Sequence, residues 1–315
     1  MSVHTDLSHF KLSFLENKYK NEIKKLKELL FIKNIKENIE LIILLRYILS
    51  YGERLEEAAD SIEKAIMWRK NNVHSILKNK KHYFKDKDNI LFPIRIRPYY
   101  SLIKKTLAAS EHKPTKDKQP VVIGRLKLCN FTLLLDNVPE SILIDYIVFS
   151  NEHEFDICNE QSKKENYLCR TYRLIDLGGF MLRNFDKRFL KVFAHTSKLS
   201  EFLHPQLVGK TYLINAPGYI RITIETLKKF GISRRTLNKL ETPKRCANKQ
   251  PADCEWLSLL IDKNGIPSYL GGDCKCENGC INGFGNDQEF PFDLNPEEVK
   301  AEIQSNIIKI KKYLL

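Results

Sequence analysis

The 315-residue sequence lacks any long apolar run. Its most apolar stretch, Leu41–Leu45, is followed at once by Arg46 and is far shorter than the roughly 20 residues that cross a bilayer. The first twenty residues contain no continuous apolar core of the kind that a secretory signal requires. We therefore expect a soluble, cytoplasmic protein that associates with membranes only peripherally and transiently.

The sequence also lacks the short motifs of common enzyme classes. It contains no G-x-G-x-x-G, no G-x-S-x-G and no H-E-x-x-H. Gly209, Lys210 and Thr211 match the end of a nucleotide-binding P-loop, but His204 stands where that loop needs its first glycine. The triplet also precedes an apolar strand-like run instead of a helix. We expect no enzymatic activity and no cofactor.

Acidic residues are fewer than basic ones, 39 against 52, which gives a formal net charge of +13. This excess favours anionic partners such as a membrane surface, a phosphorylated ligand or nucleic acid. The lysines alternate with glutamates, however, and no nucleic-acid-binding motif is recognisable. An anionic membrane surface is the expected partner and nucleic acid is not. The oligomeric state stays open, with a monomer as the expectation.

Eight cysteines are present, and five of them lie between positions 246 and 280. In a cytoplasmic protein most should be reduced thiols. Four thiolates can satisfy the tetrahedral preference of zinc, but C-x-C and C-x₇-C differ from the usual C-x₂₋₄-C pairs. We therefore expect no metal site and keep one alternative ligand set for zinc. That set is Cys254, Cys274, Cys276 and Cys280.

Hydrophobic periodicity divides the chain into a helical first part and a mixed second part. Apolar residues recur at helical spacing up to about residue 80. The first basic helix is interpreted as a solvated amphipathic helix, with a membrane-surface or lid helix as the alternative. Later, short apolar runs at 121–126, 172–177 and 211–216 alternate with helical segments, which favours a mostly parallel sheet. The polar stretch 110–120 predicts a loop. The fold class is α/β.

Four stretches in this order resemble the CRAL-TRIO lipid-binding family. They are LLRYILSYGERLEEAADSIEKAIMWRK, LIDLGG, LHPQLVGKTYLINAPGYIRITIETLKKFGISRRTLNKL and IPSYLGG. The resemblance covers about residues 35–280 and implies a sheet floor covered by helices. It also implies a lipid cavity and transfer of phospholipid between membranes in vesicle trafficking. The implied organisation is a basic helical extension (1–34), a helical domain (35–80), the lipid-binding domain (81–280) and a tail with a helix (281–315).

The resemblance also implies two headgroup regions. The residues matched to the inositol headgroup are Thr236, Lys239, Gln206 and Arg46. The residues matched to the second headgroup, that of phosphatidylcholine, are Thr171, Arg173, Ser200 and His204. Gln206 replaces a glutamate of the family, and Arg173 and His204 also depart from its pattern. Arg173 either adds a cation to the pocket or turns to water. Phosphatidylinositol or a related inositol lipid is the expected ligand.

Residues 217–230 resemble the helix that gates the lipid pocket in this family. Without the resemblance, an ordinary packed helix explains the spacing equally well. The expected gate residues are Tyr219, Ile220, Ile224, Leu227 and Phe230. The expected function is binding of the phospholipid and its transfer or presentation. The alternative is a lipid-sensing or scaffold module that holds another hydrophobic ligand without transferring it. The glycine pair of IPSYLGG is expected to form a tight turn that closes the domain.

Overall fold

The computed structural model describes residues 10–181, 186–229, 231–243, 250–281 and 283–315. The helices are α1 Leu12–Lys18, α2 Lys20–Ile32, α3 Leu41–Tyr51, α4 Leu55–Arg69, α5 Ser75–Leu77, α6 Tyr100–Thr106, α7 Phe131–Asn137, α8 Glu140–Glu165, α9 Arg188–Leu203, α10 Ile220–Lys229, α11 Arg234–Leu237, α12 Glu255–Leu260 and α13 Pro296–Leu314. The strands are β1 Tyr83–Lys85, β2 Leu91–Pro93, β3 Ala109–His112, β4 Val121–Arg125, β5 Thr171–Asp176, β6 Val208–Ile214 and β7 Leu240–Glu241.

A five-stranded sheet with the order β3-β4-β5-β6-β7 forms the centre of the fold. β3 pairs antiparallel with β4, whereas the other neighbouring strands are parallel. Parallel neighbours require crossover connections, and helices supply them: α7 and α8 before β5, α9 before β6, α10 and α11 before β7. The predicted α/β class with a mostly parallel sheet is confirmed.

The helices α1 to α4 pack against α8 and α9 around one apolar core. Leu26, Leu44 and Leu45 are almost fully buried there, and Ala58 and Ala59 supply a flat surface on α4. A fully buried leucine contributes about 1.5–3 kcal/mol through removal of its surface from water. The apolar spacing that predicts these helices is therefore also what attaches them to the rest of the chain.

One face of the sheet is covered by the segment that contains α12 and the IPSYLGG motif. Gly271 has a φ of 85°, a conformation that side chains rarely adopt, and a Cβ on Gly272 would lie 2.0 Å from the carbonyl oxygen of Ile266. The amide of Gly272 donates to the carbonyl of Pro267 at 3.1 Å. The predicted tight turn is confirmed, and both glycines are required by geometry.

Two local predictions differ from the structure. The stretch 110–120, expected to be a loop, begins as strand β3, in which Ser110 and His112 pair with β4 at one edge of the sheet. Cys254, a member of the alternative zinc ligand set, is part of a disulfide bond and so offers no thiolate to a metal. The tail does contain a helix, α13, whose Val299 and Ile303 are buried. Among the described helices, none combines the length and apolarity of a membrane span.

Candidate lipid-binding cavity

A cavity of about 720 Å³ lies over the sheet, between β5, β6 and the helices α9 and α10. Side chains alternate along a strand, so every second residue faces the cavity. Ile175 and Leu177 of β5 and Leu213 of β6 form the apolar floor. The intervening residues, such as Leu174 and Tyr212, face the core on the other side of the sheet. The floor is apolar where acyl chains would lie.

One face of α9 forms a wall that changes character along its length. Phe189 and Phe193 line the cavity near the start of the helix, and Ser197 and Ser200 line it further along. Residues spaced three or four apart lie on the same helix face. The wall therefore runs from aromatic to hydroxyl-bearing side chains, and the cavity has an apolar end and a polar end.

Basic side chains gather at the polar end. The cavity is lined there by Lys239, Arg235 and Arg173, together with the hydroxyl-bearing Thr236. The Lys239 ammonium has no hydrogen-bond or ion-pair partner within the part of the chain that the structure describes. Burial, and then the positive charges of nearby arginines, lower the pKa of Lys239 to about 8. An anion placed here would relieve both effects.

Thr236 lies beside Lys239 but not on a shared helix face. Its hydroxyl is within 3.2 Å of Ser197 Oγ and 3.1 Å of Ser233 Oγ, which fixes it against α9. α11 ends at Leu237, and Lys239 follows the helix. The backbone carbonyl of Lys239 accepts a hydrogen bond from the amide of Thr211 at 2.8 Å. The two residues are therefore not one turn apart on one helix, but both of their side chains line the same cavity.

Arg173 takes the first of its two expected positions, because it lies in the cavity wall. Its guanidinium donates to Asn151 Oδ1 at 3.0 Å and to Glu154 Oε2 at 3.2 Å. Only 25% of its side chain is exposed. Arg173 therefore has a carboxylate partner in direct contact, whereas the charge of Lys239 is offset only weakly, by Glu201, which raises its pKa against the larger lowering effects.

Three other residues matched to headgroups line the cavity but are held by protein partners. The amide of Gln206 donates to Leu49 O and Ser50 Oγ, each at 3.2 Å. His204 Nε2 lies 2.8 Å from Glu152 Oε2, and its Nδ1 lies 3.4 Å from the hydroxyl of Ser200. These contacts orient the polar end and leave His204 no ring nitrogen that faces a ligand.

The Glu152 carboxylate is central to this wall. Burial would raise its pKa, but its hydrogen bonds with His204 and Arg69 hold the pKa at about 2. Burial lowers the pKa of His204, against a smaller raising effect of Glu152. A neutral His204 therefore donates to an ionised Glu152 at neutral pH. The arrangement stabilises the wall.

Arg46 and Thr171 do not belong to the cavity. Arg46 is fully buried, and its guanidinium donates to Asn159 Oδ1, Gln206 O and Cys169 O at 2.7–3.1 Å. Burial lowers its pKa to about 10. Thr171 is also fully buried, with its hydroxyl 3.5 Å from Cys158 Sγ. The assignment of these two residues to headgroups is wrong, because their polar atoms are used inside the protein.

The expected gate helix is α10, which begins at Ile220 instead of near Pro217. Tyr219, Ile220 and Ile224 line the cavity. Ile224 also packs on a small core with Ala194 of α9. The hydroxyl of Tyr219 donates to the carbonyl of Phe180 at 3.3 Å. Two expected gate residues remain. The side chain of Leu227 and the whole of Phe230 lie outside the described residues.

Sequence reasoning missed Arg235, Asn151 and the aromatic face of α9. Arg235 directly precedes Thr236 in the sequence, so it could have been predicted as a further basic residue of the cavity. The spacing of Phe189 and Phe193 is a readable helical signal, but spacing alone does not say which core a helix faces. Asn151 lies on α8, far from the motif residues in sequence, and gives no signal of its own.

A family model for the CRAL/TRIO domain matches residues 104–272, more than half of the chain. The chain therefore belongs to the CRAL/TRIO domain family, as the motifs predict. Phosphatidylinositol/phosphatidylcholine transfer protein SFH12 of Arabidopsis thaliana is 24% identical over 245 residues, 76% of this chain and 41% of that protein. This chain thus spans less than half of that relative's length.

Two further matches have other extents. Sec14 cytosolic factor of Schizosaccharomyces pombe is 24% identical over 246 residues, which are 75% of this chain and 76% of that protein. A solved structure, "Crystal structure of Sfh5", covers 98% of this chain and 100% of its own at 12% identity, with a TM-score of 0.44. That score is too low to bear on the site.

Proposed function

We propose that this chain binds a phospholipid in the cavity, with an inositol lipid preferred, and transfers or presents it between membranes. The acyl chains occupy the apolar end above Ile175 and Leu213, and the headgroup phosphate lies at the polar end near Lys239. The observation that supports this most is the half-buried Lys239 ammonium, which lacks a hydrogen-bond or ion-pair partner among the described residues while it lines a largely apolar cavity.

The chemistry of the polar end favours an anionic lipid. A phosphate would accept hydrogen bonds from the Lys239 ammonium and from the Thr236 hydroxyl, and charge-assisted hydrogen bonds are the stronger kind. Arg235 adds a second cation. Its guanidinium stacks over the ring of Tyr51 at 5.3 Å, which keeps it at the cavity rim. The names of SFH12 and SFH13, phosphatidylinositol/phosphatidylcholine transfer proteins, support a phospholipid ligand and include the inositol lipid as one of two.

Retention of the chains follows from their burial. Each acyl methylene removed from water contributes about 0.8 kcal/mol, so a diacyl lipid leaves an aqueous carrier slowly. Exit requires α10 to move, because Tyr219, Ile220 and Ile224 close that side of the cavity. Lys228 and Lys229, exposed at the end of α10, would meet an anionic membrane surface when the helix opens.

Two measurements test the proposal. Mass spectrometry of lipid extracted from the purified protein should find an inositol phospholipid, and the protein should move that lipid between vesicles. Leu213→Trp fills the floor and should reduce both. Lys210→Trp is the matched control, because it adds the same side chain to the same strand outside the cavity. Protein with no bound lipid and no transfer would refute the proposal. Bound lipid without transfer would instead favour the sensing or scaffold module.

A further inference from the structure

A second group of chemically reactive side chains lies on the other side of the sheet from the cavity. His112, Cys274, Cys276 and Cys280 each place one ligand atom within 4.8 Å of the others. The Sγ atoms of Cys274 and Cys276 are 3.5 Å apart. Ligands at about 2.3 Å (sulfur) or about 2.0 Å (nitrogen) from a tetrahedral zinc ion lie roughly 3.5–3.8 Å from one another. The cluster is therefore within small side-chain adjustments of a zinc-binding arrangement.

Backbone and side-chain hydrogen bonds hold the cysteines in this geometry. Cys274 forms a β-bridge with Pro267, and its amide donates to the carbonyl of Ile266 at 3.0 Å. The amide of Cys280 donates to Asn286 Oδ1 at 2.9 Å. In extended backbone, residues i and i+2 point to the same side, so a C-x-C pair can present both thiols together.

His112 reaches the cluster from a distant part of the sequence. It ends the edge strand β3, and the nearby Ser110 hydroxyl donates to the carbonyl of Cys280 at 3.3 Å. The ring donates a hydrogen bond to the backbone carbonyl of Gly265. Its Nε2 atom is buried and has no hydrogen-bond partner among the described residues. A buried nitrogen without a partner is costly, and a metal ion would use its lone pair.

We propose that His112, Cys274, Cys276 and Cys280 bind one zinc ion in a closed, structural site. Thiolates and imidazole together suit zinc, and four protein ligands leave no open position for catalysis. This proposal replaces the expectation that the chain binds no metal. It also replaces Cys254 of the alternative ligand set with His112, because Cys254 is in a disulfide bond. The ion would join the segment after Gly272 to the edge of the sheet.

The test is metal content and coordination in the full chain, expressed without a polyhistidine tag and purified without chelator. We expect about one zinc per chain. After the zinc is removed, titration with cobalt should give the visible absorption of a tetrahedral thiolate site. Removing the zinc should lower the thermal midpoint, since an ion that binds only the folded chain stabilises it. None of these readouts depends on lipid transfer.

Variants assign the site to these residues. His112→Ala and Cys276→Ser should weaken zinc binding on the order of 100-fold or more, since even outer-shell partners of a metal contribute 10–100-fold. Cys169→Ala, a buried thiol elsewhere, should bind zinc like the unmodified chain. If a variant does not fold, the zinc content of the unmodified chain still decides. A zinc content no higher than background, both after purification and after reconstitution, would overturn the proposal. So would a disulfide among the three cysteines, or full zinc retention in the two ligand variants.

Discussion

Replacing Lys239 by methionine should weaken lipid binding and strengthen the fold at the same time. A charge-assisted hydrogen bond in a partly dry pocket contributes about 1.5–3 kcal/mol, which corresponds to a roughly 10- to 150-fold loss of affinity for phosphatidylinositol. Phosphatidylcholine should lose less, because its quaternary ammonium already balances the phosphate. Methionine keeps most of the volume of the side chain, so cavity shape changes little.

The gain in stability follows from the electrostatics of the empty cavity. Burial and the neighbouring arginines lower the pKa of Lys239 to about 8, which means that folding disfavours its charged form. Removing the charge should raise the free energy of unfolding of the lipid-free protein by about 1–3 kcal/mol. A lysine that serves only to stabilise the fold would give the opposite sign.

The assay follows transfer of both lipids from the same donor vesicles, together with urea unfolding of lipid-free protein. Lys210→Met is the matched control, since Lys210 pairs with Glu241 outside the cavity. It should leave the ratio of the two transfer rates unchanged. If Lys239→Met leaves phosphatidylinositol transfer intact, or reduces both activities equally, the headgroup assignment is wrong and only the cavity remains.

Three other predictions follow from the site. Affinity for inositol lipid should fall about tenfold for each pH unit above about 8, because the anion binds protonated Lys239. Lys239→Arg, which stays charged, should flatten this pH profile of affinity. A flat profile in the unmodified protein would contradict the argument. Arg46→Met should cost about 1–3 kcal/mol of unfolding free energy for each buried acceptor that it leaves unpaired, with lipid preference retained. A selective loss of inositol lipid at normal stability would return Arg46 to the headgroup site. In the double variant Met181→Cys and Tyr219→Cys, crosslinking the two thiols with a short bismaleimide should stop lipid transfer without unfolding the protein. The control is each single variant treated with the same reagent. Undiminished transfer in the crosslinked protein would exclude α10 as the gate.

The parallel strands could be predicted because both of their faces are at least half-buried, which favours short apolar runs. Val121 and Ile123 belong to one such run, and Leu174 and Ile175 form another between Arg173 and Asp176. β3 gives no such signal. It pairs with β4 on one side only, and its polar Ser110 and His112 face the segment that contains the cysteines. An edge strand defined by a distant segment is not encoded in its own periodicity.

The cavity lining was predictable where motif position and cavity position coincide, as at Thr236 and Lys239. It was not predictable at Arg46, whose acceptors are carbonyls and side chains 113–160 residues away in sequence. A motif match cannot distinguish a guanidinium that faces a ligand from one that binds backbone. The expectation of no metal site rested on cysteine spacing within one segment, and such spacing cannot show that His112, the fourth residue of the cluster, belongs to β3.

The hydrogen bond between the Thr211 amide and the Lys239 carbonyl has a consequence for the order of lipid release. It makes Lys239 part of the sheet ladder, whereas Tyr219, Ile220 and Ile224 belong to the connection that would swing open. Under the proposed function, the anchor for the phosphate would thus be stationary, and the cover over the acyl chains would move. We expect the tails to leave for the bilayer first, with the headgroup held as a pivot until the last step. A carrier built in this way would deliver its lipid tail-first and collect the next one head-first.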